Sequence, residues 1–206
     1  MIESSGRGLR LSVSPYPDES LLSLVARSAF ANVFPRTTRI LELAGIVAAK
    51  AAFAPFTASA KADALSFLLS KDVIYVQARM HEPVITSGAE ELVNWFDTVL
   101  PRRFIESAHR RFSAGAIQAA PYQRARWMIR PLPYCSETME YLHQKCPRTD
   151  CGKDLGWTIA SGIEKCEHCG FDLCQTTRVF VPEELRPNLK LAADLVSTSV
   201  QERSVA

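Results

Sequence analysis

Residues 146–170 read CPRTDCGKDLGWTIASGIEKCEHCG and hold two cysteine pairs, Cys146 with Cys151 and Cys166 with Cys169. A glycine directly follows each pair, and glycine takes a positive φ in a tight turn without a Cβ clash. Two short cysteine turns brought together supply the tetrahedral, soft ligand set that zinc prefers. Four thiolates leave no position for water, so the pattern predicts one structural zinc ion and argues against a zinc hydrolase.

Other residues near these pairs could also bind metal. Cys135 and Cys174 stand outside the pairs, and Cys135 with His143 could form part of a second site. We expect that site to be degenerate, because its further ligands are missing. His168 lies inside the second pair, where the turn should point it outward. The alternative to a metal site is that the paired cysteines are buried structural residues.

The composition is that of an ordinary folded protein. Of 206 residues, 47% are hydrophobic and 22% are charged, and the net charge is only +2. Any nucleic-acid binding must therefore come from local clusters of charge. No apolar run approaches the roughly 20 residues that span a bilayer, and the N-terminus has no apolar core of the signal-peptide type. We expect a cytoplasmic protein without a membrane partner, where paired cysteines more often bind metal than form disulfides.

Helical periodicity dominates the first hundred residues. The apolar spacing predicts helices over 19–32, 37–44, 59–70, 72–78 and 88–100. Asp18 is the expected N-cap of the first helix, with Glu19 in its first turn. Short helices with tight connections are compatible with helix-turn-helix units. A last short helix is expected over 189–196.

These patterns predict a mainly α fold with a small zinc-ribbon module. The expected domains are a helix-turn-helix-like helical domain, an arginine-rich helical bridge, the four-cysteine zinc ribbon, and a C-terminal helix with its tail. They cover residues 1–100, 101–130, 131–180 and 181–206.

Seven arginines lie between residues 101 and 130, against the single acid Glu106, and aromatic residues are interleaved with them. The first two arginine pairs are eight residues apart, so on a helix they would share one face, which could bind phosphates. The alternatives are a solvated surface, pairing with the acidic fourth and fifth helices, or an acidic protein partner. The candidate nucleic-acid or partner-binding residues are Arg102, Arg103, Arg110, Arg111, Arg124 and Arg126.

The sequence gives no indication of catalysis. It has no glycine-rich phosphate loop and neither of the common zinc-protease and serine-hydrolase motifs. Asp18 and Glu19 are neighbours on a helix start, where they fit capping groups better than an acid pair. The four histidines have no evident nucleophile partner. We expect that the protein is not an enzyme.

Three groups of residues together resemble the TniQ family of transposition target-selection proteins. The entry PYPDESL at 15–21, continuing through Arg27 and Ala29, is similar to the opening signature of the family. The stretch from RFS at 111–113 to PYQRARW at 121–127 is similar to the segment before its cysteine-rich part. The cysteine pairs with LGW at 155–157 resemble its second zinc ribbon. The matches follow the family's order over most of the chain.

The chain departs from that family at three points. Four residues separate the first cysteine pair, where the family usually has C-P-x-C. Cys135 stands where a C-x-x-H element is usual, and Thr138 occupies the histidine position, which indicates a lost first finger. The long C-terminal DNA-binding extension of TnsD-type members is absent, so we expect no independent reading of an attachment site.

The resemblance implies an adaptor in DNA transposition. Such a protein would link a target-recognition element, either DNA or an RNA-guided CRISPR effector complex, to an AAA+ transposition ATPase and the transposase. It also implies a possible homodimer formed through the helical half. Two other functions stay open: a zinc-containing helix-turn-helix DNA-binding regulator, and a purely protein-binding zinc module.

Overall fold

The computed structural model describes residues 8–46, 54–57, 61–85, 88, 90–199 and 203. Helix α1 spans Leu21–Ala31, close to the predicted range, and buries an apolar face against the rest of the helical half. The predicted N-cap is wrong. Ser20 caps the helix, since its hydroxyl accepts the N–H of Ser23 at 3.2 Å. Glu19 consequently lies before the helix and not in its first turn.

Three of the next four helices confirm the sequence predictions closely. The four helices are α2 (Thr38–Leu43), α3 (Ala54–Thr57), α4 (Ala62–Leu69) and α5 (Val73–Gln77), of which α3 was not predicted. Gly45 ends α2 with a φ of +71°, and the Asp72 carboxylate caps α5 by accepting the N–H of Ile74 at 2.7 Å. Residues 59 and 60 of the third predicted helix lie outside the described residues.

The fifth predicted helix is wrong, because this segment forms a β-hairpin. Strands β2 (Leu92–Trp95) and β3 (Thr98–Pro101) pair antiparallel, and β1 (Pro83–Val84) adds to β2. Phe96 and Asp97 form the two-residue turn with φ values of 44° and 65°. Alternate side chains of β2 are buried, which is the period of a half-buried strand.

The C-terminal half has little regular structure and is held by short pairings. Helix α6 spans Ala114–Ala119, and α7 spans Arg186–Leu195, which confirms the predicted last helix. Single 3₁₀ turns occur at Arg102–Phe104, Ala125–Met128, Leu173–Gln175 and Glu183–Leu185. Isolated antiparallel bridges connect the intervening segments.

Among the described residues, two apolar clusters form the interior. The larger one joins α1, α2, α4 and α5 to side chains of the cysteine-rich segment, such as Leu155, Trp157 and Leu173. The smaller one packs the hairpin against α7, where the indole N–H of Trp95 donates to the Val196 carbonyl at 3.1 Å. The cysteine-rich segment is thus packed on the helical half, while the domain boundaries stay a prediction.

Candidate metal centre

The first cysteine turn is closed by the backbone. The N–H groups of Cys151 and Gly152 both donate to the carbonyl of Arg148, at 3.0 and 2.8 Å. Gly152 has a φ of +54°, as expected for the residue that closes the turn. The extra residues form an exposed loop in which Arg148 and Asp150 make an ion pair. The enlarged spacing therefore still yields a compact turn.

The second cysteine turn has the same plan with a shorter loop. The N–H of Gly170 donates to the Cys166 carbonyl at 2.9 Å, and the N–H of Cys166 donates to the Phe171 carbonyl at 2.9 Å. Gly170 has a φ of +74°. Lys165 and Asp172 pair across the base of the turn. Both cysteines of the pair are thereby held on one side of a tight loop.

The two turns face each other and bring the four predicted ligands together. The sulfurs of Cys146 and Cys169 are 3.6 Å apart, those of Cys151 and Cys166 are 3.9 Å apart, and all four lie within 4.8 Å of one another. All four are free thiols. This cluster could hold a metal ion, as the spacing predicted.

The thiols differ in their electrostatic surroundings. Burial raises the pKa of Cys146 to about 12 and raises the pKa of Cys166 as well. The pKa of the exposed Cys169 is lowered, chiefly because the N–H of Phe171 donates to its sulfur. A metal ion must therefore displace protons from at least the two buried thiols when it binds.

The remaining candidate ligands lie apart from the cluster. Among the described residues no other group of three or more histidine, cysteine or acidic side chains could hold a metal, so Cys135 and His143 gain no further ligands there. Cys135 is buried. His168 points outward as predicted, and its Nε2 lies 3.0 Å from the Asp154 carbonyl oxygen. Cys174 is half-buried, and burial raises its pKa to about 11.

Glu167, between two of the ligands, has a role that sequence reasoning missed. Its buried carboxylate accepts three backbone N–H groups, from Gly156 at 2.6 Å and from Thr158 and Ile159 at 3.0 Å each. These bonds tie the second cysteine turn to the segment between the pairs. No sequence pattern marks this acid, since its partners are backbone groups about ten residues away.

The prediction that the two arginine pairs share a helix face is wrong. The chain around Arg110 and Arg111 is extended, because Phe112 pairs with His143. Both guanidinium groups point inward and donate to backbone carbonyls. Arg110 is 3% exposed and Arg111 is 7% exposed, so neither can reach a phosphate on a partner.

Arg124 and Arg126 also make contacts inside the protein. Arg124 donates to the carboxylate of Glu137 at 2.9 Å and to the carbonyls of Ala116 and Ala120 at 3.1 Å, so it caps the C-terminal end of α6. Arg126 lies 3.6 Å from the carboxylate of Asp194 in α7. Partner binding by these two residues stays a prediction, and their burial leaves little guanidinium surface for a partner to contact.

One open cleft of about 810 Å³ is lined by three arginines of the 101–130 stretch. It is lined by Glu90, Glu91, Arg102, Arg103, Ile105 and Arg130. Arg102 lies over the ring of Phe56, with its guanidinium carbon 3.4 Å from the ring centroid. Arg103 pairs with Glu90, and Arg130 lies 3.2 Å from Glu106. Two of the three cleft arginines are therefore paired with carboxylates inside the protein.

The proline-rich entry before α1 packs against the segment that precedes the second 3₁₀ turn. The N–H of Ser20 donates to the Gln123 carbonyl at 3.1 Å, and their side chains hydrogen-bond at 2.9 Å. The rings of Tyr16 and Tyr122 stack with centroids 4.0 Å apart. The Tyr122 hydroxyl donates to Asp18 at 2.6 Å. Two stretches about a hundred residues apart therefore form one structural unit.

A buried carboxylate, that of Glu19, hydrogen-bonds to side chains inside this unit. Glu19 is fully buried and accepts the Ser23 hydroxyl and the Arg27 guanidinium, each at 2.7 Å. Burial raises the pKa of Glu19, and the Arg27 charge opposes that rise. The hydroxyl of Ser23 in turn accepts the N–H of Gln123 at 3.0 Å. The neighbouring acids Asp18 and Glu19 therefore make different contacts: Asp18 accepts the Tyr122 hydroxyl, and Glu19 accepts Ser23 and Arg27.

No family model and no curated protein sequence matches the chain. Within the described residues, every helix is too short or too polar to cross a membrane.

Proposed function

We propose that the protein is a TniQ-type adaptor in DNA transposition, which carries one structural zinc ion and works in the cytoplasm. The adaptor would join a target-recognition element, either DNA or an RNA-guided complex, to an AAA+ ATPase and its transposase. The observation that carries this proposal is the contact between the entry segment at 15–21 and the segment at 121–127. These are two of the stretches on which the resemblance rests, and they form a single unit with buried hydrogen bonds.

Zinc fits the cysteine cluster by distance and by ligand type. Sulfurs about 2.3 Å from a tetrahedral zinc ion lie about 3.8 Å from one another. Two sulfur–sulfur separations in the cluster, 3.6 and 3.9 Å, bracket that value. Four thiolates close the coordination sphere, so the ion would stabilise the cysteine-rich segment as a zinc ribbon and leave no open position for a substrate.

The helical half is the part of the adaptor that we propose docks onto a partner. Its short helices α1, α2, α4 and α5 pack around one apolar cluster, and we propose that they form the helix-turn-helix-like part of the adaptor. The family resemblance adds a homodimer through this half. Neither feature requires an active site.

The open arginine cleft is the part of the predicted basic surface that can still reach a partner. Arg103 is 66% exposed and Arg130 is 56% exposed, and both could exchange their carboxylate partners for phosphates. Because acids also line the cleft, DNA binding through it would be weak and would fall steeply with added salt.

Affinity capture of the tagged, full-length protein from its native host tests the proposal. We expect quantitative mass spectrometry to show enrichment of an AAA+ ATPase and a transposase. A capture that enriches neither overturns the adaptor function.

DNA-binding measurements separate the other two functions. The adaptor predicts weak, salt-sensitive binding that Arg103→Gln reduces, while the matched control Arg39→Gln, an exposed arginine paired with Glu42, leaves it unchanged. Tight binding to one naked sequence without an ATPase would instead support a regulator. No DNA binding at low salt, together with no ATPase, would support a protein-binding module.

A further inference from the structure

Arg110 lies buried beside the second cysteine turn. Its guanidinium donates to the carbonyl of Lys165 at 2.7 Å and to that of Gly162 at 3.2 Å. Its backbone N–H donates to the Leu155 carbonyl at 2.9 Å. These bonds place the positive charge directly behind the peptide that leads into Cys166.

This buried charge has no carboxylate partner at close range. No ion pair joins Arg110 to an acid within the described ranges, and its Nε–H is buried there without an acceptor. Burial lowers the pKa of Arg110, and the negative charges of Glu167, Cys166 and Glu164 oppose that effect. An unpaired buried cation is costly, so a compensating negative charge is expected nearby.

Glu167 and Glu164 supply only part of that compensation, since Glu164 is partly exposed to solvent. The Glu167 carboxylate is engaged by the three backbone N–H groups of the segment between the cysteine pairs. The cluster itself is the larger negative charge, since four thiolates around a divalent cation carry a net charge of about −2. Cys146 and Cys166 are 3% and 1% exposed, so much of that charge is shielded from water.

We propose that Arg110 is the buried counter-charge of the metal–thiolate cluster, a positioning residue that favours the metal-bound form. This inference rests on the metal site proposed above. It moves Arg110 from the predicted phosphate-binding surface to the support of the metal site. Outer-shell partners of this kind orient ligands and tune their affinity for the metal.

The neighbouring Arg111 provides a matched control. It is buried to a similar degree and donates to two backbone carbonyls, those of Ile129 at 2.9 Å and Leu132 at 2.6 Å. The charges that act on it are those of Glu106 and Arg130, and no cysteine is among them. Loss of Arg111 should therefore remove comparable packing and hydrogen bonds without touching the cluster.

The test compares full-length Arg110→Met, Arg110→Lys and Arg111→Met with the wild type. Zinc affinity is measured by chelator competition, and Co²⁺ loading is followed by its thiolate charge-transfer absorption. We expect Arg110→Met to weaken zinc binding about 10- to 100-fold and to raise the pH of half-loading. Arg110→Lys should restore most of the affinity, and Arg111→Met should bind as the wild type does.

Each other outcome has a defined meaning. Equal affinities for Arg110→Met and the wild type overturn the inference, as does an equal loss in Arg111→Met. A wild type that binds no zinc overturns the proposed metal site itself. If Arg110→Met folds poorly, a zinc titration of its melting temperature replaces the competition assay. Excess zinc should then rescue Arg110→Met, and a failure to rescue it contradicts the inference.

Discussion

Acidification should destabilise the fold through His81. This residue is 2% exposed, and its ring packs against Phe56, Trp95 and Phe96 with centroids 5.5, 4.7 and 6.3 Å away. Burial lowers the pKa of His81 to about 3, assisted by the charge of Arg102 and opposed by a hydrogen bond with the Asn94 backbone. The Nδ1 atom is buried without a partner among the described residues. The folded state therefore holds this imidazole neutral.

The size of the effect follows from proton linkage. The unfolded chain, with an ordinary pKa of 6.5 for this histidine, binds a proton at mildly acidic pH that the folded protein excludes. The contribution of His81 to stability is thus complete above the unfolded pKa and declines as the pH falls toward 3. Between about pH 7.5 and about pH 5.5 the loss is about 1.4 kcal/mol.

Urea unfolding followed by tryptophan fluorescence measures this loss. The comparison is with His81→Phe, which keeps an aromatic ring in the same space and removes the titrating group. The wild type should lose about 1.4 kcal/mol more than the variant between the two pH values, since all other groups titrate alike in both. Equal losses in the two proteins would refute a neutral, buried His81.

Three further substitutions test backbone strain, helix capping and a buried charge in the same unfolding assay. Val33→Gly should raise the free energy of unfolding by about 0.5–1 kcal/mol, because Val33 has a φ of 59° and an 88% exposed side chain; a decrease would contradict this account. Ser20→Ala should cost about 1–2 kcal/mol, because it removes the α1 cap and the donor to the side-chain oxygen of Gln123; no change would contradict it. Glu140→Gln should cost about 1–3 kcal/mol, because it removes the buried negative charge that strengthens the hydrogen bonds from Ser113 and Gly115 and that faces Arg178 at 3.7 Å; a stability equal to the wild type would contradict it.

The parts of the fold that could be predicted are those set by local sequence. Helices α2, α4 and α5 have an apolar spacing near 3.6, and Gly45 and Asp72 mark two of their ends. The cysteine turns are likewise local, because each needs only a short spacing and a following glycine. The capping error at Asp18 is also local, since Asp18 and Ser20 are both good N-caps and only one accepts the free N–H.

The hairpin shows where periodicity is ambiguous. Leu92, Phe96 and Val99 fit a helical stripe, yet Val93 and Trp95 alternate as in a strand, and the segment is rich in β-branched and aromatic residues. The pairing with β1 and the packing on α7 decide in favour of strands, and α7 lies about a hundred residues further along the chain.

The arginines show why burial is harder to predict than spacing. Arg110 and Arg111 donate to backbone carbonyls, and Arg124 does so in addition to binding Glu137; carbonyl acceptors carry no signature in the sequence. A row of arginines therefore looks the same whether it faces solvent or connects loops through buried hydrogen bonds. The contact between the entry segment and Gln123 is hidden for the same reason, since it joins residues about a hundred positions apart.

Metal content of the purified full-length protein tests the central claim most directly. Inductively coupled plasma mass spectrometry should find about one equivalent of zinc per folded chain. Cys135→Ser, which alters a buried cysteine outside the cluster, should keep that equivalent, and Cys166→Ser should lose it. Less than about half an equivalent in the folded wild type, or full retention in Cys166→Ser, would contradict a four-thiolate zinc site.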